Sequence, residues 1–496
     1  MVSLIDKGRS SRILEPSCGE GVFLSILLNH GFNNLTGYEI DKSLSTEYDF
    51  VRHESFVSSS VDEKYDVVIG NPPYIRWKNL EKELKDELES SKLWNTYFNS
   101  LCDYLFIFVL KGIEQLTESG EMIFICPEYW MNTTNSKPLR DFMTANGYIT
   151  DIYHFKEAPL FEGVTSSFVI FKYVKSKSDK DIILHKYTKV GKPEYHELSD
   201  GTCFEIIHIP QFKCGERWIL ADSREQEELF LFEKSCSKNN SFFADASDLH
   251  RIGDYCDIGN GMVSGMDNAF KINDVSLLSD VEKNYVIKVY KAKDLVRFYS
   301  NNNSNYVFVT DDFDEKFFKE NCPNFYGQLK PKEFELNKRY NYGKKLPFWQ
   351  FAFPRNEKLF RRSEKRIFIP CKERITTRHY FRFVEADENV FPLQDVTGIF
   401  KKKNCRESLE YLLAFLNSKN VFNWLKYNGI VKGDIVEFSE APIASIPYRP
   451  IDWNNENEVE IHEKITNITR NIIDNKDASL FVNVENLQKK LIYEEC

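Results

Sequence analysis

The run Tyr65-Asp66-Val67-Val68-Ile69-Gly70 passes directly into Asn71-Pro72-Pro73-Tyr74, and this junction restricts the fold more tightly than any other stretch. A short, nearly continuous apolar run reads as a strand buried on both faces, the pattern of a parallel sheet. Two successive prolines cannot donate to a sheet ladder, so the strand has to stop there. An amide and an aromatic ring are then fixed at its carboxyl end, the edge where open α/β sheets place ligands and chemistry.

The first 175 or so residues supply the sheet that such a strand needs. "RILEPSC", Arg12 to Cys18, is a strand running into a glycine turn, and "GVFLSILLNHG" carries helical periodicity up to Gly31. "LTGYEI" is a second strand, ending at Glu39. A helical stretch from about Leu80 to Leu116 leads into the strand "GEMIFICPEYW", and "ITDIYHF" and "SSFVIFKYV" form the last pair. This rhythm predicts a doubly wound, mainly parallel, Rossmann-like α/β domain. Beyond Val174 the pattern loosens into strand-like pieces such as "DIILHKY" and "CFEIIHI". The polar, breaker-rich "CSKNNS", Cys236 to Ser241, sets the expected boundary, giving domains 1–238 and 239–496, the second of mixed α+β character.

Composition narrows the functional classes. The 496 residues suffice for two or three cores. Eleven cysteines are scattered without a CxxC pair or zinc-type spacing, and no secretory h-region precedes the first strand. No segment reaches the roughly 18 apolar residues of a membrane span; "CDYLFIFVL", Cys102 to Leu110, reads as a core helix. A cytoplasmic protein with reduced thiols, no metal and no membrane partner is expected. The net charge of −10 taken alone argues against nucleic acid. Yet Leu329 to Arg378 holds fifteen Lys and Arg against five Glu, interleaved with Tyr340, Tyr342, Phe348, Trp349, Phe351, Phe353 and Phe360. That stretch suits a surface that neutralises phosphates.

Two features in the first domain point to a nucleoside cofactor. Glu15-Pro16-Ser17-Cys18-Gly19-Glu20-Gly21 places a Gly-x-Gly turn after the first strand, where backbone approaches a ligand at a helix start. The third glycine of a dinucleotide fingerprint would be residue 24, which is Leu24. Glu39, 24 residues after Glu15, ends the second strand, where an acidic side chain accepts ribose hydroxyls. The missing glycine and the Glu15-Pro16 pair favour S-adenosyl-L-methionine over a dinucleotide.

With Asn71-Pro72-Pro73-Tyr74 added, the chain resembles the adenine-N6 DNA methyltransferases of restriction–modification systems, those with an amino-terminal catalytic domain and a carboxy-terminal target-recognition domain. In that family NPPY is the catalytic motif. An exocyclic amine is a poor nucleophile because its lone pair is delocalised into the base. The Asn71 side-chain oxygen and the Pro72 carbonyl each accept one N–H, which aims the lone pair at the methyl donor. The base has to leave the duplex to be reached, so an aromatic clamp follows. The resemblance implies Tyr74 on one face and Phe161, in "APLFEGVTSSFVIFKY", on the other. It also implies cofactor contacts from Glu15, Cys18, Gly19, Gly21, Glu39, Phe56 and Asn71. Pro127 and Trp130 match structural positions, and Asp103 matches an acidic residue at a helix start. "GNGMVSGMDNAFKI" and "FLNSKNVFNWL…GDIVEFSEAPIASIP" resemble the recognition domain. The implied partners are double-stranded DNA and, functionally, a cognate restriction endonuclease, with the enzyme a monomer.

The sequence departs from the family in three ways. The early Thr-Pro motif is absent; Ser55 stands where an Asp usually meets the cofactor's adenine; and the short N-terminus is expected to leave no room for a fused nuclease. A DNA-binding relic unable to hold cofactor is therefore one alternative reading. Protein-glutamine and RNA amino-methyltransferases share NPPY-like motifs but are usually shorter. The Pro370-Cys371 and Glu388-Asn389-Val390 matches to cytosine-C5 enzymes lie in the wrong domain, and cytosine-N4 motifs usually begin with Ser or Thr.

Overall fold

In a computed structural model the chain is described throughout except for residues 45–47, 61, 157, 162, 164–165, 190, 239–247, 341–342, 344, 376–377, 433 and 494–496. It divides into two compact units, Met1–Gln226 and Glu227–Cys496. The division falls before the expected 238/239 boundary. The helix Ser223–Ser235 accounts for the difference: its Phe232 meets Phe415 at 6.0 Å between ring centroids, and its Glu233 accepts from the Trp424 indole at 2.7 Å. Those partners bind it to the second unit. The breaker-rich segment lies partly outside the described residues. Among the described residues no helix is long and apolar enough to cross a membrane.

The first unit is built on a nine-stranded sheet. Its strands are β1 (Ile13–Glu15), β2 (Leu35–Tyr38), β3 (Val51–Arg52), β4 (Tyr65–Gly70), β5 (Leu116–Pro127), β6 (Tyr148–His154), β7 (Phe168–Val174), β8 (Ile182–Tyr187) and β9 (Phe204–Ile209), in the order β3-β2-β1-β4-β5-β7-β6-β8-β9. β1 to β5 pair in parallel, and β7 enters antiparallel between β5 and β6. The doubly wound expectation is met, and for the reason legible in the NPPY strand. Val67 and Ile69 join Ile13, Leu24, Leu27 and Phe32 in one layer, while Val68 joins Leu14, Phe106, Met122 and Phe124 in the other. Helix α1 (Val22–Asn29) covers the first layer and contributes Leu24 and Leu27. "DIILHKY" and "CFEIIHI" are β8 and β9, which extend the same sheet.

The single helical stretch expected over Leu80–Leu116 is instead three helices: α2 (Lys82–Ser90), α3 (Lys92–Tyr97) and α4 (Leu105–Glu114). Polar side chains divide it. Ser91 accepts from the Trp94 amide to start α3, and Asp103 accepts from the Leu105 amide to start α4. Every residue of α4 from Leu105 to Ile113 is buried, so this helix lies across the second layer as the central element of the core. Burying each Leu, Ile or Phe there contributes roughly 1.5–3 kcal/mol.

The second unit is mixed α+β. One four-stranded sheet joins Cys256–Asn260, Val396–Lys401, Arg366–Pro370 and Val384–Ala386; a second four-stranded and a three-stranded sheet accompany it. The run Leu409–Asn428 forms two helices, Leu409–Leu416 and Lys419–Asn428, because Ser418 accepts from the Val421 amide and caps the second. The reading of Leu329–Arg378 as one basic, aromatic surface is corrected. Phe348, Trp349, Phe351 and Phe360 are at most 4% exposed and pack in a core with Phe318 and Phe308, Trp349 stacking on Phe318 at 4.6 Å. Arg366 is fully buried, donating to the carbonyls of Phe360 and Glu388, and Lys330, Arg362 and Lys365 pair with carboxylates. Tyr340, Lys338, Lys345, Arg355 and Lys358 remain exposed; Tyr342 lies outside the described residues.

Candidate active site

The carboxyl edge of β1, β2 and β4 gathers most of the residues singled out in the sequence. After β1 the chain turns through Gly19 and Gly21, whose φ angles of 53° and 81° lie in the left-handed region that glycine tolerates. Glu39 follows β2 and latches this turn: one carboxylate oxygen accepts from the Gly19 amide at 2.8 Å, the other from the Asp41 amide at 2.8 Å. A carboxylate has about four lone-pair sites, so two N–H donors leave acceptor capacity free. Cys18 is buried beneath the turn, donating its amide to the Tyr38 carbonyl at 2.9 Å. Burial, then the charges of Glu15 and Glu39, push its thiol up to about 12, so it serves packing and not nucleophilic chemistry.

Glu15 is the most perturbed carboxyl of this edge. It is 1% exposed, and its Oε2 has no hydrogen-bond partner. Burial pushes it up to about 9, the Leu24 amide opposes the rise, and the Glu39 charge adds to it. A buried carboxyl with an unpartnered oxygen next to a glycine turn is arranged to receive a donor or a cation.

Phe56 sits deeper than a surface contact residue, 2% exposed. It is flanked edge-on by Tyr38 at 5.7 Å and tilted against Phe108 at 5.4 Å. Ser55 accepts from the Val57 amide at 3.2 Å and so shapes the loop after β3.

Asn71 and Pro72 stand at the end of β4, held against the glycine turn by Ser17, whose hydroxyl donates to the Asn71 carbonyl at 3.2 Å. The Asn71 Oδ1 is buried and has no hydrogen-bond partner. Burial raises the Tyr74 phenol, and the Asn71 side chain opposes the rise. Tyr74 and Phe161 both make edge-on contacts with one buried ring, Phe168, at 5.8 and 5.0 Å. The structure thus gathers both clamp candidates around a third aromatic that the sequence reading did not single out. The signal available was position: Phe168 opens β7 directly opposite Pro127.

Asp103 does two local jobs. Its carboxylate accepts from the Leu105 amide at 3.0 Å, and its backbone pairs with Arg76, while the Tyr104 amide donates to the Ile75 carbonyl at 2.9 Å. The loop that follows Tyr74 is therefore stapled to the start of α4. Burial raises the Asp103 carboxyl; the Leu105 amide, the Tyr129 hydroxyl and the Arg76 charge hold it back. Pro127 ends β5 and Trp130 is fully buried, its indole donating to Cys126 Sγ at 3.2 Å, in keeping with structural roles. Nearby, His154 Nε2 meets Glu128 Oε2 at 2.5 Å and Ser167 Oγ at 3.3 Å. Serine and acid share one imidazole nitrogen, which is not the geometry of a hydrolytic triad. Among the described residues no cluster of His, Cys, Asp and Glu is arranged to hold a metal.

Comparison with known proteins places this architecture. The family of the Eco57I restriction-modification methylase matches residues 23–161. The chain is 44% identical over 99% of its length to the type II methyltransferase M.HindII of Haemophilus influenzae, covering 95% of that protein. It is 41% identical over 99% of its length to M.HincII, also of Haemophilus influenzae, covering 94%. Among solved structures, the type IIL restriction-modification enzyme MmeI, determined in complex with DNA, shares the fold with a TM-score of 0.60 at 13% identity, across 98% of this chain and 70% of that one. Identity of this extent, carried across both units and not the NPPY region alone, makes the chain a member of the type II DNA methyltransferases of restriction–modification systems.

Proposed function

We propose that this enzyme methylates the N6 amine of adenine at a specific site in duplex DNA, with the target base extruded from the helix and S-adenosyl-L-methionine as donor. The observation that carries the reading is the buried, unpartnered Asn71 Oδ1 at the end of β4. An acceptor left open in a buried site costs about 1–3 kcal/mol and is retained where a ligand donor completes it. The exocyclic amine of adenine brings two N–H donors, one for Asn71 Oδ1 and one for the Pro72 carbonyl. With both engaged, the lone pair is drawn out of conjugation, and the partial positive charge that develops on nitrogen is met by two oxygens. Tyr74 and Phe161 hold the base by stacking. The same acceptors would fit cytosine N4, so the choice of adenine rests on Asn at the head of the motif.

The unpartnered Glu15 Oε2 and the latched glycine turn fit the cofactor's cationic methionine end and close backbone approach. Glu39 would take the ribose hydroxyls, with Cys18, Gly19 and Gly21 forming the floor and Phe56 lying toward the adenine. When bound, S-adenosyl-L-methionine supplies an electrophilic methyl group. The residues above hold, orient and exclude water; none forms a covalent bond. Unit Met1–Gln226 is assigned catalysis, and Glu227–Cys496 target recognition, with double-stranded DNA as partner. Host protection beside a cognate endonuclease, by a monomeric cytoplasmic enzyme, completes the reading.

The test is mass spectrometry of nucleosides from DNA incubated with the purified protein and S-adenosylmethionine. N6-methyladenine above a no-enzyme control is the expected result. N4-methylcytosine would replace the base assignment. Unmodified DNA, with the protein still binding it, would favour the relic reading.

A further inference from the structure

Lys111 is a buried cation that the reaction just described does not use. It lies in the middle of α4, 2% exposed, where the periodicity of the helix calls for an apolar residue. Its ammonium donates to three main-chain carbonyls: Phe56 at 2.6 Å, Val57 at 2.7 Å and Ser59 at 2.6 Å. It also stands 5.1 Å from the centre of the Phe56 ring. One turn later Gln115 donates to the Ser60 carbonyl at 2.6 Å. Two side chains from one stretch of chain therefore gather four carbonyls of a single loop.

Burying an ammonium is unfavourable, and a methionine or leucine would fill the same volume without that penalty. The charge is placed where the sheet itself provides little support. β3 is only two residues long, and the loop after it carries Ser55 and Phe56 along the carboxyl edge, beside Tyr38 and the Glu39 latch. A loop with so short a strand behind it would have to be ordered by its ligand, and ordering backbone weakens binding. An ammonium with three donors, each on a carbonyl, orders it beforehand.

We infer that Lys111 is a positioning residue for the cofactor pocket: through its carbonyl cage it holds the Ser55–Ser60 loop in the conformation that receives the adenine end of the methyl donor. Gln115 is the secondary strut. Neither side chain is assigned contact with cofactor or DNA. The inference rests on the cofactor reading given above, and its signature is selective. Loss of the cage loosens the cofactor pocket and leaves the second unit's surface untouched.

The experiment compares full-length wild type with Lys111→Met, Gln115→Met and Val109→Ala. Binding of S-adenosylmethionine is measured by titration calorimetry, duplex-DNA binding by fluorescence anisotropy, and Tm by scanning calorimetry. Val109 is a fully buried neighbour on α4 and serves as a control for lost stability alone. The expected result is a Kd for S-adenosylmethionine raised at least tenfold in Lys111→Met and about threefold in Gln115→Met. DNA affinity should stay within twofold of wild type, and Val109→Ala should keep its cofactor affinity despite a lowered Tm. If Lys111→Met does not fold, the Gln115→Met and Val109→Ala pair decides the matter alone. Unchanged cofactor affinity in the folded cage variants, or an equal loss in Val109→Ala, overturns the inference. A wild type that binds no S-adenosylmethionine overturns the underlying cofactor reading instead.

Discussion

Replacing Glu15 by glutamine should stabilise the cofactor-free enzyme, and by an amount that grows with pH. In the unfolded chain this carboxyl ionises near 4.5; in the fold, burial first and the Glu39 charge in addition push it to about 9. Between those values the unfolded state has lost a proton that the native state still holds. Stability is therefore fully present below pH 4.5 and falls as pH rises toward 9. Each pH unit in this window is worth at most about 1.4 kcal/mol, so the ceiling at pH 7.5 is about 4 kcal/mol. The amide of the variant carries no ionisable proton and escapes that loss. At roughly 2–4 °C per kcal/mol for a unit of this size, Glu15→Gln should raise Tm by several degrees at pH 7.5 and by little at pH 5. Scanning calorimetry between pH 5 and 8.5 reads the gap directly. Adding S-adenosylmethionine should then raise the wild-type Tm more than that of the variant, because a bound cation favours the ionised carboxylate. A Tm gap that stays flat with pH would refute the argument, since it would mean that Glu15 is solvated in the folded state.

Asn71→Ala should lower the single-turnover rate of methyl transfer by about 10²–10³-fold, the loss typical of one preorganised acceptor or donor, while affinities for DNA and S-adenosylmethionine change little; transfer near the parent rate would remove Asn71 from the mechanism. Tyr74→Ala and Phe161→Ala should each weaken capture of the extruded base by about 1–3 kcal/mol, read from the fluorescence of 2-aminopurine placed at the target adenine. Gly261→Ala should disrupt the second unit, because an added Cβ would lie 2.0 Å from the Leu393 carbonyl oxygen and 2.6 Å from that of Val396. Duplex binding should fail in that variant, limited proteolysis should open the second unit, and cofactor affinity should survive.

Much of this was legible in one dimension because the signals are local. Prolines that cannot join a ladder fix the end of β4, Gly19 and Gly21 fix the turn after β1, and a two-sided apolar run fixes burial. Capping residues are equally local, yet the helix breaks at Ser91 and Ser418 are not marked in the sequence, because the apolar periodicity continues through both. In the second unit the basic, aromatic stretch misled for a related reason. A Phe or Trp has the same identity in a core and on a nucleic-acid face, and only packing against Phe318 and Phe308 shows which it is.

The sheet class, the strand carrying Asn71 and Pro72, and the turn and acid at the carboxyl edge of β1 and β2 could all be read from the chain alone, because each depends on backbone chemistry within a few residues. What depends on distant partners emerged only on folding. Glu15 is buried with an unpartnered oxygen, and Tyr74 and Phe161 converge on Phe168. Asp103 staples the loop that follows Tyr74, and Lys111 directs its charge at three carbonyls more than fifty residues away in the chain. Burial and orphaned polar atoms are properties of the packed chain, since desolvation is set by whatever else the fold brings near.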